Sequence, residues 1–335
     1  MTIPVTLLTG FLGAGKTTLI NYLLETTQEP IAIVENEFGN TNIDSALLKR
    51  DAKTSIVELS NGCVCCSVSG EFATAMRDLI IARQNGKLYF NRIIVETTGL
   101  ADPSPIVQSF FVDDHLRTMM TLDACVTLVD CEHISKQLDE NAVAASQIGF
   151  ADRILLTKTD RVDEKTHLEA ISRIHAINKK AEIFIVTNGE CLPSLWLDIN
   201  AFTLSDDLGL TQGVHEIKDG MSQFKAFSVQ PKQSWNDSIS AHLIEAGNVD
   251  LDKAGQFMER LVEVYGNDML RYKGIFAIDN EPRRLIVQGI HKVVGFDYGS
   301  NWGIDEKPCT QLVIIGRSLP IAEIEKQFKE TVSGQ

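Results

Sequence analysis

The 335-residue chain, 44% hydrophobic and 23% charged, is long enough for two domains with full cores. A formal net charge of −14 excludes a surface built to grip nucleic-acid phosphates, and no apolar run is long enough to span a bilayer. Met1-Thr2-Ile3-Pro4 lacks the basic segment of a cleavable signal; a cytoplasmic location is expected, where seven cysteines point to metal or redox chemistry over disulfides.

Residues 5–9 read as a strand and 18–26 as a helix. Between them Gly10-Phe11-Leu12-Gly13-Ala14-Gly15-Lys16-Thr17-Thr18 fills every position of the phosphate-loop pattern. Such a turn aims backbone N–H groups and a helix N-terminus at phosphate oxygens. Gly10, Gly13, Ala14, Gly15 and Thr18 are therefore cradle candidates. Lys16 supplies a catalytic cation for the β/γ oxygens, and Thr17 a hydroxyl for Mg²⁺. A plain strand-to-helix turn accounts for the glycines but gives no reason for Lys-Thr after them.

A second strand at 31–35 ends in Glu35-Asn36-Glu37-Phe38-Gly39, where the first switch of a nucleotide hydrolase falls. Glu35 or Glu37 can orient the attacking water or join a metal site, with Glu37 the catalytic candidate; solvated loop charges are the plain alternative. A strand at 54–59 precedes Asn61-Gly62-Cys63-Val64-Cys65-Cys66. Thiolates of Cys63, Cys65 and Cys66 can converge on a soft ion with Zn–S bonds of about 2.3 Å, leaving a position for a fourth ligand. Zn²⁺ suits the set, and Co²⁺ or Ni²⁺ would also bind. An easily reduced disulfide and simple core packing are the rivals.

A helix at 71–83 and a strand at 92–96 lead to Glu96-Thr97-Thr98-Gly99. Glu96 at a buried strand end can hold Mg²⁺ directly or through water, and Gly99 can present its N–H to a γ-phosphate. Asp113, Asp114 and His115 are further metal-ligand candidates. Strands at 124–129 and 153–157 follow, the latter closing in Thr157-Lys158-Thr159-Asp160. Guanine offers two adjacent donors, and an ionised carboxylate at Asp160 accepts both, with the Lys158 stem over the base. After a helix at 165–178 and a strand at 182–187, Asn188 is a candidate for the base pocket.

Near-continuous Ile/Val/Leu strands alternating with helices predict an α/β fold, a P-loop NTPase with a mostly parallel sheet and ligands beyond the carboxyl strand ends. This domain is assigned residues 1–204. Residues 205–222 read as a linker, and 223–335 as a smaller α+β domain. The latter has strands at 224–230, 270–278, 284–294 and 310–317, and helices at 251–265 and 322–331.

Taken together, the segments 10–18, 35–39, 63–66, 96–99 and 157–160 resemble the CobW-like metallochaperone GTPases of the SIMIBI class, most nearly the zinc-chaperone branch of YjiA type. Leu270-Arg271-Tyr272-Lys273-Gly274 and Trp302-Gly303 resemble the CobW C-terminal domain. The resemblance implies slow hydrolysis of GTP to GDP, coupled to loading of zinc or a related divalent ion into a client apo-metalloprotein. By it, Lys16 and Thr17 bind phosphates and Mg²⁺, Asp160 reads guanine, Cys65 is the foremost metal thiolate, and Glu35 matches a family metal ligand. Two departures stand out. Thr157 replaces the asparagine of many GTPases, and Asp113 occupies the position of a ligand histidine. The alternatives are a metal-responsive GTP-binding regulator and a P-loop kinase of a small acceptor. No nucleic-acid or membrane partner is expected, and a homodimer is left open.

Overall fold

The computed structural model describes residues 2–36, 54–58, 68–202, 213–218, 221–226, 239–304 and 306–332. The order begins β1 (Ile3–Gly10), α1 (Lys16–Thr26), β2 (Ile31–Asn36), β3 (Thr54–Glu58), α2 (Val68–Gln84) and β4 (Arg92–Thr97). It continues through α3 (Ser104–Val112), α4 (Asp114–Met119), β5 (Met120–Asp130), α5 (Ile134–Glu140) and α6 (Ala142–Phe150). β6 (Arg153–Thr157), α7 (Glu164–Ile177), β7 (Glu182–Val186), β8 (Gly213–Lys218) and β9 (Met221–Ala226) complete the first sheet.

That sheet has the order β3-β2-β4-β1-β5-β6-β7-β8-β9, with every pair parallel except β8–β9. The central strands are buried on both faces. Val5, Leu7, Ile93 and Val95 enter one core, whereas Leu8, Ile94, Val126 and Leu128 enter the other. This is the period-two alternation of a strand covered above and below. Leu19, Ile20 and Leu23 of α1 close the second core; Phe72, Met76 and Leu79 of α2 and Ile171 and Ile174 of α7 close the first. Each such side chain, fully buried, contributes about 1.5–3 kcal/mol of transfer free energy.

The C-terminal sheet is antiparallel, in the order β10-β14-β11-β12-β13. Its strands are β10 (Ile239–Ala246), β11 (Met269–Ala277), β12 (Arg283–Ile290), β13 (Val293–Asn301) and β14 (Thr310–Arg317). Helices α8 (Leu251–Tyr265) and α9 (Ile321–Lys329) cover one face through Phe257, Met258, Leu261, Ile324 and Phe328. From the other face Ile239, Ala241, Leu270 and Ile315 join the core that contains Ala145, Ile148 and Phe150 of α6. The two domains therefore share packed hydrocarbon. Arg271 reinforces the seam, pairing with Asp152 and lying 4.5 Å over the Phe202 ring.

Three expectations are corrected. The stretch read as a linker contains β8, which adds to the exposed edge of β7, and the strand placed at the head of the second domain is β9, which pairs with β8. An uncovered β7 edge would present unpaired backbone groups, and the segment Val214-His215-Glu216 pairs with it. His215 stacks there on Phe184 at 4.4 Å. Secondly, β10 went unread because it is a half-exposed edge strand with a mixed pattern. Thirdly, the single strand expected at 284–294 is interrupted by a turn at His291 (φ 48°), after which β13 folds back on β12.

Candidate functional site

The turn between β1 and α1 holds the phosphate-loop residues at the carboxyl edge of the first sheet. Lys16 Nζ donates to the Gly10 carbonyl at 2.9 Å, which folds the ammonium back over the loop. Gly15 is the N-cap of α1, with no side chain capping the helix and no acid in its first turn. Its leading N–H groups are thus available to an anion. A cavity of about 290 Å³ opens here, walled on one side by Gly13, Gly15, Lys16, Thr17 and Thr18. The facing wall is Glu35, Glu96, Thr97, Thr98 and Gly99.

Glu35 and Glu96 are register partners on β2 and β4, and both are buried. Two carboxylates side by side in one low-dielectric wall demand positive charge. Lys16 and Thr17 on the opposite wall fit that demand: an ammonium, and a hydroxyl able to complete an oxygen set for a hard divalent ion such as Mg²⁺. Gly99 comes so close to the phosphate loop that a Cβ on it would stand 2.7 Å from Leu12 Cα. Only a glycine fits that approach.

Two turns, those after β6 and β7, touch the same loop and helix. Thr157 Oγ1 donates to the Ala14 carbonyl at 2.9 Å, so the threonine that replaces the common asparagine still ties this motif to the phosphate loop. Lys158 adopts left-handed backbone (φ 57°), and its Nζ lies 2.6 Å from Asp130 Oδ2. Asp160 follows in a one-turn 3₁₀ segment with its side chain open to solvent. Gly189 has φ 75°, and a Cβ there would stand 2.9 Å from Thr18 Cγ2, which sets the Asn188-Gly189 turn over the start of α1.

Two residues of this site escaped the sequence reading. Asp130, buried at the end of β5, holds Lys158, accepts the Glu132 amide at 2.9 Å and lies 3.0 Å from His133 Nδ1. Its position at a carboxyl strand end was the available signal. Gln147 on α6 donates to the carbonyls of Gly99 and Ala101 at 3.2 and 3.1 Å; no local pattern marks it.

Of the metal candidates, Glu37, Cys63, Cys65 and Cys66 lie outside the described residues. Glu35 stands in the cavity wall. Asp113 is otherwise engaged: it caps α4 by accepting the amides of His115 and Leu116 at 3.0 Å each, and receives Arg77 Nη2 at 2.8 Å. Against the upward pull of burial, the Leu116 amide and the Arg77 charge hold its carboxyl below the usual range. A metal at Asp113 would have to compete with the Arg77 charge on the same carboxylate. Among the described residues Asp130, Glu132 and His133 are grouped closely enough to share an ion, but Lys158 already neutralises the buried member. Burial pushes the thiols of Cys131 and Cys191 up to about 11 and about 12, so neither offers a thiolate.

Comparison with known proteins matches both parts of the chain. Residues 4–185 fit the profile of the CobW/HypB/UreG nucleotide-binding domain, and residues 239–332 that of the cobalamin synthesis protein cobW C-terminal domain. The zinc chaperone YjiA of Escherichia coli is 41% identical over 97% of this chain and 98% of its own length. The zinc-regulated GTPase metalloprotein activator 1 of Saccharomyces cerevisiae is 28% identical over 98% of this chain and 83% of its own length. The crystal structure of Zn(II)-bound YjiA GTPase from E. coli superposes with a TM-score of 0.79 at 34% identity, covering 99% of this chain and all of that one.

Proposed function

This chain belongs to the CobW/HypB/UreG family, and from that premise we propose that it is a GTPase that carries zinc to client metalloproteins, with Glu35 and the cysteines 63, 65 and 66 as the carrying ligands. Binding of GTP falls to the loop from Gly10 to Thr18. Lys16 meets the β/γ oxygens, Thr17 and Glu96 hold Mg²⁺, Gly99 offers its N–H to the γ-phosphate, and Glu37 is the candidate to orient the attacking water. Asp160 reads the guanine edge beneath the Lys158 stem, and Asn188 closes the base pocket. When bound, Mg²⁺ supplies charge to the phosphate oxygens; the protein's part is to position them.

The observation that carries the reading is the place of Glu35. It is at once the register partner of Glu96 in the nucleotide cavity and of Glu58 on β3. Parallel β3 ends on the same edge, and Cys63 follows Glu58 by five residues (63 − 58), a span of at most about 17 Å of chain. A tether of that length would let the sulfurs reach the cavity wall that holds Glu35, which supports the reading. Contacts made by GTP at Glu35 and Gly99 would order the thiolates, and hydrolysis would relax them and release the ion to a client's stronger ligand set. The client is an apo-metalloprotein, recognised through the C-terminal domain. Co²⁺ or Ni²⁺ would bind the same donors, so availability decides occupancy.

Competition for Zn²⁺ against a chromogenic chelator, with a non-hydrolysable GTP analogue or with GDP, tests this reading. Affinity should be about tenfold higher with the analogue, a coupling of about 1.4 kcal/mol, and Cys65→Ser should remove the difference. Equal affinity in the two nucleotide states would sink the coupled mechanism and leave a plain GTPase.

A further inference from the structure

Helix α6 touches both of the things that a nucleotide-driven carrier has to connect. On one side is Gln147, 1% exposed. A primary amide has two hydrogens, and Nε2 places them on the Gly99 carbonyl at 3.2 Å and the Ala101 carbonyl at 3.1 Å. The backbone carbonyl of Gln147 accepts Thr127 Oγ1 at 2.9 Å, which fastens the same turn of α6 to β5. On the other side, two residues on, Gly149 packs against the C-terminal sheet. A Cβ there would stand 3.1 Å from Leu270 Cδ2 and 3.4 Å from Ile239 Cγ2 and Ile315 Cγ2. Beyond it, the carbonyl of Phe150 faces the Arg271 guanidinium. Asn178 Nδ2 ties the Ile148 and Ala151 carbonyls at 2.8 Å each, so this end of the helix is held against fraying.

We infer that Gln147 is a positioning residue, which sets the Gly99 peptide against the phosphate loop and, through α6, passes the state of that peptide to the C-terminal sheet. The inference rests on the reading of Gly99 as a γ-phosphate donor. Gly99 cannot shift relative to Leu12 without breaking its bond to Gln147 or drawing the glutamine and α6 along. Breaking it would strand a buried carbonyl while the Ala101 bond still holds the amide in place, so movement of α6 is the cheaper response. That movement must repack Gly149 against Leu270 and Ile315, because close-packed interiors switch between arrangements and do not stretch. A second link runs beside the first. Burial holds the His291 imidazole below its usual range while the charge of Asp102, next after Ala101, acts the other way, and the ring lies 5.8 Å from that of Phe150.

Steady-state hydrolysis by the full-length protein, with amide hydrogen exchange over 239–246 and 269–277 in GDP and in a non-hydrolysable GTP analogue, reads both halves of the claim. Wild-type protein should protect those strands differently in the two nucleotides. Gln147→Leu should lower kcat about tenfold, leave GDP affinity within about twofold, and erase the difference in exchange. A merely structural glutamine would lower stability without separating GTP from GDP. Should Gln147→Leu fail to fold, Gly149→Ala adds one methyl on the far side of α6 and favours the helix. It should shift the ratio of analogue to GDP affinity at least about threefold. Equal exchange in the two nucleotides, a Gln147→Leu kcat within twofold of wild type, or an unmoved ratio in Gly149→Ala overturns the inference and leaves the GTPase reading intact. A wild-type protein that hydrolyses no GTP takes both down.

Discussion

Lys158 illustrates how much of the site is decided by single contacts. Its left-handed backbone costs on the order of 1 kcal/mol for a residue with a Cβ, and the ammonium-to-Asp130 bond at 2.6 Å offsets that cost by fixing the stem. Asp130→Asn should therefore raise the KM for GTP about tenfold with kcat little changed, read by steady-state kinetics, because the stem loses its anchor before chemistry begins. Equal losses in kcat and kcat/KM would instead put Asp130 in the transition state. If Asp160 reads guanine as proposed, Asp160→Asn replaces a double acceptor by an amide that would face guanine donors with a donor of its own. Affinity for GTP should fall by about 100-fold or more while xanthosine triphosphate, which carries a carbonyl in place of the amino group, gains. An unchanged preference in nucleotide titrations would place the base elsewhere.

At the scale of elements, α4 shows a carboxylate serving structure where sequence position suggested chemistry. Asp113 closes two otherwise orphaned amides of that helix and pairs with half-exposed Arg77, which by itself adds little. Asp113→Ala should cost about 1 kcal/mol, a fall of about 2–4 °C in Tm. Zinc affinity should stay within about twofold; a tenfold loss would restore the aspartate to the ligand set. The glycine at 99 works at the same scale, because β4 can bring its end against the loop after β1 only where no side chain intervenes. If Gly99 meets the γ-phosphate as proposed, Gly99→Ala should abolish hydrolysis in single-turnover assays while GDP, which lacks that group, still binds.

Across the whole molecule, the seam between the domains carries a titration. Burial keeps His175, His242 and His291 below the usual imidazole range; Lys179 adds to the effect at the first two, and Glu325 opposes it at His242. These rings stay neutral in the folded protein at a pH where the unfolded chain, with imidazoles near about 6.5, already binds protons. Their contribution to stability should therefore be complete above about pH 7 and be lost as pH drops through about 6.5. Urea midpoints should be lower at pH 5.5 than at pH 7.5, and His175→Gln should flatten the slope. A midpoint independent of pH over that interval would show that the histidines titrate alike in both states. No helix among the described residues is long and apolar enough to cross a membrane.

The nucleotide motifs were legible in the sequence because each is contiguous: a strand, its terminal turn and the next helix are neighbours in the chain, and their chemistry is local. The apolar rhythm likewise foretold the parallel sheet, since strands buried on both faces must be apolar throughout. What joins those pieces was not legible. Gln147 meets Gly99 across 48 positions and Lys158 meets Asp130 across 28, and a glutamine in an apolar helix or an aspartate at a strand end looks ordinary until its partner arrives. The edge pairing of β8 and β9, the capping duty of Asp113 and the shared hydrocarbon at α6 are of the same kind. Chain order fixes which groups can meet a phosphate; only packing decides which of them are already spoken for.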